Sequence, residues 1–414
     1  MKNRVVVTGL GIISPIGNDV ATFWKSLKEG KSGVGPITSF DSAKFDSRIA
    51  AEVKDFNPAL YGLSSKDIKR MDKFAQYAVA SARQAFNDSG LDLEKEDRER
   101  IGVLVGSGIG SLYTIEEEHK IMLNKGPSKM SPFLIPMLIV NEAAGQVGII
   151  FGLKGPNSCV ATACASGSHA IGDAFRILER GDADVMITGG TESCIVATGV
   201  GGFCALKALS TRNNDPQRAS RPFDRDRDGF VIGEGCGLVV LETLDHARKR
   251  HARIYAEIVG YGMTCDAYHI TAPAPEGDGA MRAMKLALKD AKANPEDVDY
   301  INAHGTSTKL NDKLETLAIK RALGDYAKKT MVSSTKSMTG HQLGAAGGVE
   351  FVVCCLTIKD SVVAPTINYE NPDPDCDLDY VPNTARKSSV DLCLSTSLGF
   401  GGHNATLVVK KFTG

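Results

Sequence analysis

The stretch TACASGSHAIGDAFRILERGDADV, residues 162–185, has a counterpart in TKSMTGHQLGAAGGVEFVVCCLTIKDSV, residues 335–362. Both read as strand, loop, helix. In the first copy the helical period runs from Ser166 to Arg180 and stops at Gly181, a residue suited to the left-handed position after a helix. The likeness extends outward. Helix Lys73–Asn87, the linker DSGLDLEKEDRER, strand IGVLV and loop GSGIGS repeat in order as helix Gly279–Ala291, KANPEDVD, strand YINA and loop HGTST. A duplication of this length predicts two α/β halves related by a pseudo-twofold axis, 1–251 and 252–414, with a boundary near His251. The N-terminus of the Cys164 helix then faces the loop carrying Lys336 and His341, so function is expected at the seam.

Short apolar runs at Val5–Val7, Ile101–Val105, Val185–Thr188, Tyr300–Ala303 and Leu392–Ser395 alternate with helical-period segments, the pattern of an α/β protein. The 414 residues are 43% hydrophobic and 23% charged, with a net charge of −1, which speaks against nucleic-acid binding and disorder. Ten cysteines without a C-x-x-C pair match no zinc set and no disulfide framework, and no metal or cofactor is expected. The start MKNRVVVTGL enters a strand directly, and no apolar run reaches the ~18 residues of a membrane span. A cytoplasmic protein with no membrane span is expected.

Cys164 lies at a helix N-terminus, where free N–H groups and the positive end of the helix dipole favour a thiolate and small neighbours let an acyl group approach. A buried free cysteine acting as a small hydrophobe is the plainer alternative. It leaves unexplained two histidines at strand and turn ends, His304 in NAHGTST and His341 in STKSMTGH, and the glycine turn GFGGHN at 399–404. The Phe400 N–H can complete an oxyanion hole with the Cys164 N–H, although the same residues equally suit a tight turn into the final strand, residues 405–410. Lys336 and Glu350 are spaced for an ion pair beside the histidines. His119, His246 and His251 read as ordinary histidines.

Two motifs mislead. GLGIIS, residues 9–14, follows the first strand but has Ser14 for the third glycine of a dinucleotide fingerprint and no acidic strand end at the right distance. DRDRDGFVIGEG, residues 224–235, imitates a calcium loop but places Gly235 where a bidentate Glu is required, so a structural loop with Arg–Asp pairing is expected.

With VVVTGLGIISPIG, the Cys164 loop, HGTST, KSMTGH, DLDYVPNTAR and GFGG in place, essentially the whole chain resembles the β-ketoacyl-[acyl-carrier-protein] synthases of the thiolase superfamily, in their elongating form. The resemblance implies a thiolase-like fold of α-β-α-β-α layers, with Cys164, His304, His341, Lys336 and Phe400 as the catalytic set. By the same resemblance Cys164 carries an acyl group as a thioester. His304 and His341 bind a malonyl thioester and promote loss of CO2, and Phe400 gates its entry. Thr306 and Thr308 are expected on the malonyl side, Ile109 and Phe133 along an acyl tunnel to which the second copy contributes, and Glu350 with Lys336 behind His304. The implied partners are acyl carrier protein, loaded with acyl or malonyl groups, and a second copy of the chain. Lys66, Lys69, Arg70, Lys125, Lys129 and Lys207 form the expected basic dock. Lys309, Gln342, Leu398 and His403 depart from the usual pattern without removing a catalytic group. Three other readings are polyketide assembly on the same fold, a noncatalytic chain-length partner, against which Cys164 argues, and a cysteine hydrolase.

Overall fold

Each half opens on a long strand that carries a Gly-x-Gly step, and that step sets how its first helix packs. In the computed structural model, which describes residues 2–414, these strands are β1 (Val5–Ile13) and β6 (Ala256–Cys265). A Cβ on Gly9 or Gly11 meets the carbonyls of Ala85 and Ser81 at 2.2 and 1.9 Å, and one on Gly260 or Gly262 meets those of Ala287 and Ala283 at 2.4 and 2.1 Å. The glycines let helix α1 (Lys73–Ser89) lie against β1, and the helix Asp278–Ala291 against β6, backbone to backbone. GLGIIS is therefore a helix-packing motif, which is why it imitates a nucleotide loop without being one.

The first half continues with β2 (Ile101–Gly106), helix α2 (Glu142–Phe151), β3 (Asn157–Val160), helix α3 (Ser166–Arg180), β4 (Val185–Glu192) and β5 (Gly235–Thr243). The second half, after β6, has α4 (Asp278–Ala291), β7 (Tyr300–Asn302), α5 (Lys309–Leu323), β8 (Met331–Ser333), α6 (Ala346–Asp360), β9 (Leu392–Gly399) and β10 (His403–Lys410). The strand order is β3-β2-β4-β5-β1 followed by β6-β10-β9-β7-β8, so each half runs third, second, fourth, fifth, first from its outer edge. The directions repeat as well. First with fifth and fifth with fourth are antiparallel, while fourth with second and second with third are parallel. The duplication read from the sequence is a duplication of topology.

A short antiparallel β1–β6 pairing joins the two five-stranded sheets. Helices α3 and α6 lie between the sheets and contact strands of both, while α1 and α4 cover the outer faces, giving α-β-α-β-α layers. Helix α6 is buried from Ala346 to Ile358 and apolar there except for Glu350 and Thr357, as suits a helix covered on every side. The layers meet through glycine: a Cβ on Gly348 of α6 falls 2.3 Å from the Gly237 carbonyl of β5 and 2.5 Å from the Gly190 N–H of β4. Because that contact is backbone against backbone, Gly348→Ala is expected to destabilise the fold by about 3 kcal/mol, read as a lowered denaturant midpoint with unchanged slope.

Candidate active site

The N-termini of α3 and α6 converge between the sheets, and the turns before them carry the chemistry. A Cβ on Gly167 of α3 meets the Gly344 carbonyl at 2.9 Å and the Gly348 N–H at 2.8 Å, which fixes the Cys164 turn against the chain that follows His341. Ala163 takes φ +51°, a conformation that a non-glycine residue holds only under constraint from its surroundings. The constraint comes from Ser166, whose hydroxyl donates to the Ala163 carbonyl at 2.6 Å while accepting from the Thr162 N–H at 2.9 Å.

A cavity of about 550 Å³ opens over this turn. Cys164, His304, His341, Phe400, Thr306, Thr308 and Ile109 all line it. Residues drawn from distant parts of the sequence thus face one space, as expected. Cys164 is 8% exposed, and the N–H groups of Phe400 and of Cys164 itself both reach its sulfur. Gly399 keeps Phe400 there: a Cβ at Gly399 falls 2.5 Å from the Thr162 carbonyl. The turn continues through Gly401 and Gly402 at φ +85° and +77° and is held by the segment after β6. The Gly401 N–H donates to the Ile270 carbonyl at 2.8 Å, and the Asp266 N–H to the Gly402 carbonyl at 2.9 Å.

The thiol differs from the sequence expectation. Burial pushes Cys164 up to about 12; the Lys336 charge and the two N–H groups lower it, and Glu192 raises it. Burial outweighs the helix terminus, so the resting group is a thiol whose proton leaves during attack.

His304 and His341 meet edge to face, with ring centroids 5.3 Å apart. Burial, with the Lys336 charge, holds both well below the ordinary histidine value, so both are neutral. Lys336 Nζ lies 3.5 Å from His304 Nδ1 and donates to Glu350. An ammonium can only donate, so His304 Nδ1 is the acceptor and its Nε2 carries the hydrogen. Lys336 and Glu350 are each 2% exposed and stand behind the histidines rather than on the cavity wall. Glu350 is a positioning residue behind Lys336; burial pushes its carboxyl up to about 7 against the pull of Lys336.

Acid weakens this arrangement. Neutral donors are present at and above the ordinary histidine value of about 6.5, and decarboxylation is expected to be flat from there to about pH 8. Below pH ~6.5 the unfolded chain binds protons at His304 and His341 that the folded chain refuses, so the histidines' own contribution to stability falls as pH falls, while Glu350, raised to about 7, contributes with the opposite sign. Denaturant midpoints of the wild type and His304→Gln, compared between pH 7 and 5, check the sign of the histidine contribution.

Phe133 does not line this cavity of the single chain; Arg70 stacks on its ring at 4.6 Å. Lys66, Lys69, Arg70, Lys125 and Lys129 are exposed, and Lys207, at the cavity rim, pairs with Asp46 at 2.8 Å.

Several buried groups had no sequence signature. Glu315 on α5 accepts from the His304 and Gly305 N–H groups, each at 2.7 Å, and so sets the His304 turn. Arg227 donates to the carbonyls of Thr308 and Lys309 at 3.0 and 2.9 Å, and Asp224 pairs with Arg221 at 3.2 Å. The calcium-like loop is thus a structural clamp on the threonine loop, with the Arg–Asp pairing expected of it. Glu192 closes β4 behind Cys164. In sequence Glu315 and Glu192 are each one charged residue among many, and only the fold turns them inward.

Residues 2–247 match the family model "Beta-ketoacyl synthase, N-terminal domain" and residues 255–370 match "Beta-ketoacyl synthase, C-terminal domain". Relatives named 3-oxoacyl-[acyl-carrier-protein] synthase 2 are 56% identical in Synechocystis and 55% identical in Coxiella burnetii, in each case over 99% of this chain and 99% of the relative. Among solved structures, a type II polyketide ketosynthase in complex with its acyl-carrier protein and bound to a hexaketide superposes with TM-score 0.92 at 38% identity. A β-ketoacyl synthase from Burkholderia phymatum also gives 0.92, at 36%, and both comparisons cover 100% of each chain. The chain belongs to the β-ketoacyl synthase family.

Proposed function

We propose that this chain is a 3-oxoacyl-[acyl-carrier-protein] synthase that elongates fatty acyl chains by two carbons through decarboxylative Claisen condensation. The observation that carries the reading is the single cavity on which a nucleophilic thiol, two neutral imidazoles and two converging N–H groups face one another. The Cys164 sulfur attacks an acyl-carrier thioester, its proton passes to the departing carrier thiolate, and an acyl-Cys164 remains. A malonyl thioester then enters and loses CO2, and N–H donation from His304 and His341 supports the enolate that forms. The carbanion attacks acyl-Cys164, the Cys164 and Phe400 N–H groups hold the tetrahedral oxyanion, and collapse releases the 3-oxoacyl carrier and a Cys164 thiolate that takes up a proton.

The 54–56% identity to relatives named 3-oxoacyl-[acyl-carrier-protein] synthase 2, against 38% to the polyketide ketosynthase, favours fatty-acid elongation over polyketide assembly. Both histidines on the cavity favour condensation over hydrolysis. The exposed lysines around Arg70 and at the rim suit an acidic carrier protein. The edge strand β3, with its exposed Asn157 and Ser158, and the exposed Ile115, Leu123 and Ile149 suit pairing with a second copy, and a cytosolic site agrees with ten free cysteines. No helix among the described residues is long and apolar enough to cross a membrane. We place the boundary between the halves near His251.

The reading is tested by supplying long-chain acyl carrier and malonyl carrier and following CO2 and products. One CO2 per 3-oxoacyl carrier two carbons longer is expected. Release of free fatty acid instead indicates a hydrolase, and carrier binding without turnover a noncatalytic partner.

A further inference from the structure

Glu192 ends β4 with no exposed surface. Its Oε1 accepts from the Ser107 hydroxyl at 2.9 Å and the Ile109 N–H at 3.3 Å, and its Oε2 from the Gly108 N–H at 2.8 Å and the Gly344 N–H at 3.1 Å. None of these partners carries charge. Two donors on each oxygen suit an ionised carboxylate, which only accepts. Burial alone opposes that state and pushes the carboxyl up to about 7.

The partners belong to two walls of the active cavity. Ile109 lines it from the first half; Leu343, beside Gly344 and following His341, lines it from the second, at φ +46°. The packing leaves no slack: a Cβ on Gly344 falls 2.7 Å from Glu192 Oε2, and a Cβ on Gly108 falls 3.0 Å from that oxygen and 3.1 Å from the Ala163 carbonyl beside the nucleophile. The titratable groups facing Glu192 are the thiols of Cys159 on β3, Cys164 before α3 and Cys194 after β4. Lys336 faces Cys164 as well, and Glu234 faces Cys194.

We propose that Glu192 is a positioning residue for Cys164, whose carboxylate fastens the Ser107–Ile109 loop to the Gly344 turn and keeps the thiol protonated until a thioester is in place. A negative charge behind the sulfur raises the cost of a free thiolate in the empty site. It leaves attack on a bound thioester open, because there the charge passes onward to the oxyanion donors and the leaving sulfur.

The inference rests on Cys164 being the nucleophile, and alkylation probes it without any acyl chemistry, so its failure is separable from failure of the condensation assay. The rate of Cys164 carbamidomethylation by iodoacetamide is followed by peptide mass spectrometry from about pH 5.5 to 9.5 in the wild type, Glu192→Gln and Glu350→Gln. In the wild type the logarithm of the rate is expected to climb in two arms separated by a flattening near pH 7, where Glu192 titrates. In Glu192→Gln the flattening disappears, and the rise is displaced about one unit lower, so alkylation at pH 8 is about tenfold faster. Glu350 titrates in the same range, and Glu350→Gln is expected to keep the flattening. A Glu192→Gln profile identical to the wild type overturns the proposal. Should that variant not fold, loss of the flattening in Glu350→Gln overturns it, and retention supports it.

Discussion

Cys164→Ala is expected to lower condensation by at least about 10,000-fold while leaving decarboxylation of malonyl carrier in place. In the proposed reaction the sulfur holds the acyl chain between the two substrates, so its removal ends the first half-reaction outright. The decarboxylating apparatus does not pass through that sulfur. His304 owes its tautomer to Lys336, and its backbone N–H donates to Glu315 at 2.7 Å. The fold should be indifferent, since the thiol makes no side-chain hydrogen bond to another side chain and alanine fits inside its volume. CO2 release from malonyl carrier without 3-oxoacyl product, in a protein with a wild-type unfolding midpoint, checks the expectation. Loss of both half-reactions together contradicts the division of labour.

Lys336→Met is expected to cost about 3–5 kcal/mol of stability and at least about 100-fold in decarboxylation. The stability loss arises from Glu350, which is left 2% exposed without its ammonium partner. Burial already pushes that carboxyl up to about 7 with Lys336 in place, and removal of the cation takes it higher. A carboxyl whose folded value lies above its unfolded value costs stability as pH rises. The wild type carries this cost up to about pH 7 and the variant carries it further, so the variant falls progressively behind the wild type above about pH 7. A midpoint difference between the two that widens with pH is the signature. The activity loss has another origin: without a donor at Nδ1, His304 is free to place its hydrogen there and present a lone pair to the cavity. kcat for decarboxylation should then fall more than KM rises.

What could be read from the residues was whatever local periodicity and punctuation encode. Helix α3 runs Ser166–Arg180 with Gly181 in the left-handed position, as its spacing and terminal glycine predict. The order of elements in the two copies translated into identical strand order in the two sheets, because the same strand–helix sequence closes in the same way. Cys164, His304, His341 and Phe400 met on one cavity for the same reason: each sits at the end of an element, where a side chain must leave the layer.

Burial and long-range partnership were not encoded locally. The helix-terminus argument for a thiolate at Cys164 is sound for an exposed site, but the degree of enclosure decides the balance and is a property of both halves. Phe133 reads like any aromatic near an apolar run until Arg70 is found stacked on it. Glu350 sits one helical turn inside an apolar helix, which marks it as buried, and its spacing from Lys336 pointed to their ion pair; its full enclosure is a property of the fold. Glu192 and Glu315 follow strand and helix patterns that place acids on surfaces in most proteins; here both turn inward to bind loop N–H groups.

The central claim is that Cys164 holds the growing chain and surrenders it to a decarboxylated malonyl unit. Intact-protein mass spectrometry of a single turnover tests it most directly: the protein is mixed with one equivalent of long-chain acyl carrier, sampled, then chased with malonyl carrier. The account predicts an acyl adduct mapped to Cys164 that disappears during the chase as a 3-oxoacyl carrier two carbons longer appears in equal amount. An adduct on another residue, or product formed with no adduct at any time, contradicts it.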